Sequence, residues 1–123
     1  MNDLHSTIDT HLDAYGEPDA HRREELIAQV WTEDGHLIDP PLDGRGRDGI
    51  SEMAATIQAH YAGHTFRRTS GVDEHHGFAR YEWDLLAPDG TVALSGADVV
   101  EIADSGMIRR VVGFLGPIPS RES

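Results

Sequence analysis

The hydrophobic period of this chain changes once, at Thr65, and that change restricts the folds open to it. Before Thr65 apolar residues recur every three or four positions, and after it they alternate. Leu4, Ile8, Leu12 and Tyr15 share one helical face over residues 3–15, and Gly16-Glu17-Pro18-Asp19 ends that helix. A second helix starts from Asp19 as N-cap and carries the stripe Leu26, Ile27, Val30 and Trp31. Thr32-Glu33-Asp34-Gly35 is expected to end it. A short strand over residues 36–39 is stopped by Pro40-Pro41, and residues 42–48 read as a loop. A third helix begins near Asp48 or Ser51, with Ile50, Met53, Ala54, Ile57 and Tyr61 on one face, and ends at Gly63.

The alternating half holds four expected strands, at residues 65–73, 78–86, 91–103 and 107–115, joined by short glycine-containing turns. Such turns make an antiparallel meander. Helices first and strands second mean an α+β fold rather than a wound α/β sheet. The 123 residues fit one domain, residues 1–116, with a flexible tail over 117–123.

Ten basic residues against 22 acidic ones leave a net charge of −12, which argues against nucleic acid and anionic membrane as partners. There are no cysteines, so thiolate chemistry and a disulfide framework are excluded. No apolar run approaches membrane-spanning length, and the acidic N-terminus makes a cytoplasmic location the default expectation.

The strand phases carry the functional signal. Over residues 78–86, Ala79, Tyr81, Trp83 and Leu85 form the face expected to be buried. Over residues 91–103, Val92, Leu94, Gly96, Val100 and Ile102 form an apolar face with Asp98 in its middle. A carboxylate there must pair, find donors or take up a proton, and a protonated Asp in an apolar pocket is a useful donor. Asp39 ends its strand beside apolar Leu37 and Ile38 and before Pro40, which is also an ordinary place for a turn aspartate. His60 and His64 have helical metal-pair spacing, but Gly63 interrupts them, so no metal site is expected and His60 is assigned to the pocket rim. His75 and His76 are expected to face solvent.

The segment from Val30 to Pro40, the run from Gly46 to Ile50 into a helix, Asp98, and the closing Gly106 to Gly116 together resemble the nuclear-transport-factor-two-like superfamily over nearly the whole chain. Within it the chain resembles SnoaL-like polyketide cyclases and ketosteroid isomerases. The resemblance implies a cystatin-like cone, a curved antiparallel sheet wrapped around three helices with an internal pocket. It implies no cofactor, a small apolar ligand and a homodimer. It assigns a general base to Asp39 and an acid to Asp98, with either Tyr15 or His11, four apart on one face, in the oxyanion-stabilising slot. Pocket walls would come from Trp31, Met53, Ile57, His60, Tyr81, Trp83, Leu85, Val111, Gly113 and Leu115. The implied activity is isomerase-, cyclase- or dehydratase-type chemistry on a carbonyl compound. A non-catalytic binding dimer is the alternative. A limonene-type epoxide hydrolase would need Arg80, beside Glu82, to face the pocket.

Overall fold

A computed structural model describes residues 3–123. Three helices open the fold: α1 (Leu4–Tyr15), α2 (Ala20–Val30) and α3 (Gly46–His60). Asp3 caps α1 by accepting the His5 N–H at 3.0 Å, and Asp19 caps α2 by accepting the His21 N–H at 3.1 Å. The strands are β1 (Trp31–Asp39), β2 (Leu42–Arg45), β3 (Thr65–Arg68), β4 (Asp73–His75), β5 (Phe78–Leu86), β6 (Val92–Ile102) and β7 (Ile108–Leu115). They form one sheet in the order β2-β1-β7-β6-β5-β3, with β4 also pairing β5.

The helices cover one face of this sheet. Ile8, Ile27, Trp31, Leu37, Leu85, Val100, Ile108 and Val111 are almost wholly withdrawn from solvent between the two layers. Two side chains fix the layers in register. Arg68 on β3 donates twice to Asp9 on α1, at 2.8 and 3.2 Å, and Gln58 on α3 donates to the Tyr15 carbonyl at the end of α1 at 3.1 Å.

The sheet is mixed. β5, β6 and β7 form the expected meander, but β1 joins β7 in parallel, bringing the first strand of the chain beside the last. Three boundaries also differ from the pattern reading. β1 starts at Trp31, directly from α2, because Trp31, Gly35 and Leu37 face the core while Glu33 and Asp34 point out. The register shift between Trp31 and His36 takes up the misfit. Residues 42–45 form β2 on β1 rather than a loop, and α3 starts at Gly46. The expected strand over residues 65–73 is two strands, β3 and β4, parted around Ser70-Gly71.

The outer face of the sheet is exposed and carries Phe78, Val99 and Phe114. Val92, expected on the apolar inner face, is more than half exposed because a register shift pairs it with Leu86 rather than with the inward Leu85. The segment after Gly116 is exposed and has no helix or strand.

Candidate functional site

The register places the two flagged aspartates on one row across the sheet. Tyr81 on β5 pairs with Asp98 on β6, and Asp98 pairs with Gly113 on β7. Ile38 on β1 is in register with Val112, so the next residue, Asp39, stands beside Gly113. Side chains in one such row share a face of the pleat. Gly113 therefore sits between two carboxylates with nothing of its own to separate them. A Cβ at Gly113 would lie 2.9 Å from Asp39 Oδ1 and 3.3 Å from Asp98 Oδ1, so the carboxylates converge over that point.

Asp98 is 5 % exposed. Its Oδ2 accepts the Tyr81 hydroxyl at 2.6 Å and its Oδ1 accepts the Trp83 indole N–H at 3.0 Å. Burial pushes its carboxyl up to about 7, against the pull of those two donors, and the nearby Asp39 charge pushes the same way. Asp39 is only partly buried, and desolvation raises its carboxyl above the usual range. Trp83 reaches Asp98 because Gly96 leaves room: a Cβ there would run into the Trp83 ring and the Phe114 carbonyl oxygen.

The structure separates Tyr15 from His11. Tyr15 is buried, its ring packs on Phe66, and its Oη has no hydrogen-bond partner among the described residues. Its hydroxyl is held well above its ordinary range by burial and then by the charges of Asp39 and Asp98, which places it in the field of both carboxylates. His11 instead accepts the Trp31 indole N–H on Nδ1 at 3.3 Å. An indole only donates, so the His11 proton is on Nε2. Burial lowers this imidazole to about 3 and keeps it neutral. Tyr15 is thus the residue whose hydroxyl feels both carboxylate charges, while His11 supports Trp31 one turn away, and neither side chain lines the cavity beside Asp39.

An apolar cavity of about 310 Å³ opens beside Asp39. Trp83, Leu85 and Phe66 line it from the sheet, Ile57, Thr56, His60 and Tyr61 from α3 and its end, and Leu94 and Leu115 from the ends of β6 and β7. Pro40, Pro41 and Leu42 close the β1–β2 side. Of the wall residues expected from sequence, Ile57, His60, Trp83, Leu85 and Leu115 line this cavity. Tyr81 and Gly113 belong to the carboxylate row behind it. Trp31 and Val111 are core residues, and Met53 is buried with its sulfur packed toward Gly44. Phe66, Tyr61, Leu94 and the Pro40-Pro41-Leu42 turn went unrecognised. Phe66 and Leu94 follow the same strand alternation that exposed Trp83, but the turn comes into place only through β2.

His60 Nδ1 bonds the Thr56 carbonyl at 2.9 Å and His64 Nδ1 the Ala62 carbonyl at 3.1 Å. Among the described residues there is no cluster of three or more metal-ligating side chains. Arg80 is exposed on the outer face, where Asp73 holds it at 2.9 Å, so it does not provide the pocket arginine an epoxide hydrolase arrangement needs. His75 and His76 are exposed. No helix among the described residues is long and apolar enough to cross a membrane.

Comparison with known proteins agrees with this fold. The family model described as a SnoaL-like domain matches residues 8–111. A solved protein from Agrobacterium tumefaciens, described as a candidate isomerase of the SnoaL-like family, is 35% identical over 93% of this chain and 97% of its own, with a TM-score of 0.86. A candidate polyketide cyclase from Sinorhizobium meliloti shares the fold at 13% identity and a TM-score of 0.69, over 89% of this chain and 94% of its own. A de novo designed protein with a curved β-sheet also has a TM-score of 0.69, at 12% identity over 93% of this chain and 85% of its own. No functionally curated protein matches this chain in sequence.

Proposed function

The chain belongs to the SnoaL-like family, and from that footing we propose that it is an acid–base enzyme acting on a small, largely apolar carbonyl compound. The observation that carries this reading is the pair of desolvated carboxylates, Asp39 on the cavity wall and Asp98 buried behind it, with a buried tyrosine hydroxyl nearby that has no partner among the described residues. A carboxyl held at about 7, as that of Asp98 is, suits proton transfer near neutral pH. The chain contains neither lysine nor cysteine, so no side-chain amine or thiol is available for covalent activation of a carbonyl. Proton transfer by carboxyl groups is the chemistry its side chains offer.

In this mechanism Asp39, the carboxylate on the cavity wall, takes a proton from the carbon next to the carbonyl. The C–H electron pair moves into the carbonyl group, and its oxygen takes the charge. The Tyr15 hydroxyl and the protonated Asp98 stabilise that oxygen in a water-poor site, where such donors act strongly. Isomerisation, dehydration and aldol-type cyclisation all begin with this step. The apolar lining favours neutral ligands over anionic ones.

The reaction-independent test is exchange of α-hydrogens for deuterium in small cyclic ketones, followed by proton NMR. Asp39→Asn and Asp98→Asn should each slow exchange by about 10²-fold or more while the fold is kept. Unchanged exchange in both variants rejects the mechanism. One observation favours a second reading, a non-catalytic ligand-binding module: both Asp98 oxygens are already taken by protein donors. The fold alone does not decide between the two. The second reading predicts ligand binding with no exchange in the unmodified protein.

A further inference from the structure

We propose that Gly113 is a positioning residue that lets Asp39 and Asp98 work as one coupled two-carboxylate unit that keeps a single proton through mildly acidic pH. Three adjacent strands bring β1, β7 and β6 side by side, and neighbouring strands are about 4.8 Å apart. A side chain on the middle strand would normally fill the space between its two row neighbours. Here the middle residue is glycine, and the two Oδ1 atoms reach the place its Cβ would take, to 2.9 and 3.3 Å. Their separation therefore cannot exceed those two distances laid end to end.

The groups named around the pair bring no opposite charge to it, although the two donors on Asp98 favour its charged form. Tyr15 on α1 feels the charge of both carboxylates, Tyr81 and Trp83 on β5 bond Asp98, and all three are neutral. His60 and Tyr61 stand across the cavity from Asp39 at the end of α3. Arg68 on β3 gives its charge to Asp9, and on the β2 side His36 and Asp43 pair with each other at 2.7 Å. Two like charges this close, one of them almost wholly buried, do not both ionise freely. Asp39, which borders the cavity and is less buried, loses its proton first, and Asp98 keeps its own.

This has a consequence for catalysis, which rests on the acid–base reading above. While Asp39 is charged, it holds the proton on Asp98. When Asp39 takes a proton from the substrate carbon, that hold ends just as negative charge forms on the substrate oxygen. The acid strengthens as the base is consumed.

Carboxyl-carbon NMR titration of the intact, ligand-free protein tests the coupling without needing any activity. Asp39→Asn should lower the Asp98 midpoint by about one pH unit, since it removes the charge that opposes ionisation. Asp98→Asn should leave the Asp39 midpoint nearly unchanged, since Asp98 is still neutral when Asp39 ionises. Gly113→Ala should force the carboxylates apart and shift Asp98 in the unmodified background, but shift it by less in the Asp39→Asn background. An Asp98 midpoint that ignores Asp39→Asn overturns the proposal, even if Gly113→Ala does not fold. Coupling without α-hydrogen exchange leaves the pair standing and removes the enzyme reading. Exchange without coupling does the reverse.

Discussion

Replacing Asp98 by Asn should stabilise the protein above neutral pH and stop doing so in acid. Asp98 is 5 % exposed, and its folded-state carboxyl is pushed up to about 7, whereas an aspartate in the unfolded chain titrates near 3.9. Its raised value means that the native state binds more protons than the unfolded state between those limits. Stability from this group is complete below about pH 4 and is lost as pH rises through about 7. At pH 8 the buried charge costs the native state about 4 kcal/mol relative to a neutral group of the same shape. Near pH 5 most of that cost is gone, so the advantage of the variant should shrink by about 3 kcal/mol between the two conditions. Asn suits the test because it copies the neutral acid: its oxygen can accept the Trp83 N–H while its amide donates to the Tyr81 oxygen. The assay is urea unfolding of both proteins near pH 8 and pH 5, read by far-ultraviolet circular dichroism and compared at the midpoints. A stability difference that is the same at both pH values would refute the reasoning, because Asp98 would then be charged and solvated in the native state.

Other consequences are open to direct measurement. His11, neutral with its imidazole at about 3, contributes stability that is complete above about pH 6.5 and is lost as pH falls toward 3. His11→Phe should therefore unfold less steeply on acidification, while losing about 1–2 kcal/mol at neutral pH because the Trp31 N–H is left unpaired, as pH-dependent urea melts would show. Gly96→Ala drives a methyl into Trp83 and the Phe114 carbonyl; a loss of about 1–3 kcal/mol is expected, with a shifted Trp83 indole N–H resonance. Leu94→Trp, placed on the cavity wall, should weaken binding of small ketones through KM and leave the Asp98 midpoint where it was, since Leu94 touches the cavity and not the carboxylate row. A parallel shift in that midpoint would show that the cavity and the row are not separable.

How much of this could be read from the chain depends on the range of the contacts involved. The inward position of Asp98 follows from strand alternation alone, because a period of two fixes the face of every residue once one is known. The same rule exposes Tyr81, Trp83 and Leu85. What it cannot supply is the neighbour of β7. The parallel β1–β7 pairing joins residues about 75 positions apart, and no local pattern records it, so the nearness of Asp39 to Asp98 was accessible only through family resemblance. The ambiguity between Tyr15 and His11 has the opposite origin. Both lie on the buried face of α1, as their spacing requires, and only the partners differ: Trp31 for one, the carboxylates for the other. Strand β2 was missed for a third reason. Its Leu-Asp-Gly-Arg sequence has low strand propensity, and the hairpin with β1 decides its conformation.

The places where local rules break coincide with the proposed site. A sequence selected only for stability would put a β-branched residue at position 113 of a strand, an apolar residue at 98 and a partner near the Tyr15 hydroxyl. This chain has a glycine, an aspartate and an unpartnered oxygen there. Gly96 is a second break on the same sheet face, and it clears the path for the indole that anchors Asp98. Each departure costs stability by itself, through strand entropy, desolvation or an unmade hydrogen bond. Taken singly, each has an ordinary explanation as a packing accident. Taken as one cluster around the carboxylate row behind an apolar cavity, they are the pattern expected when stability is given up locally for proton chemistry, as the stabilisation forecast for Asp98→Asn tests most directly.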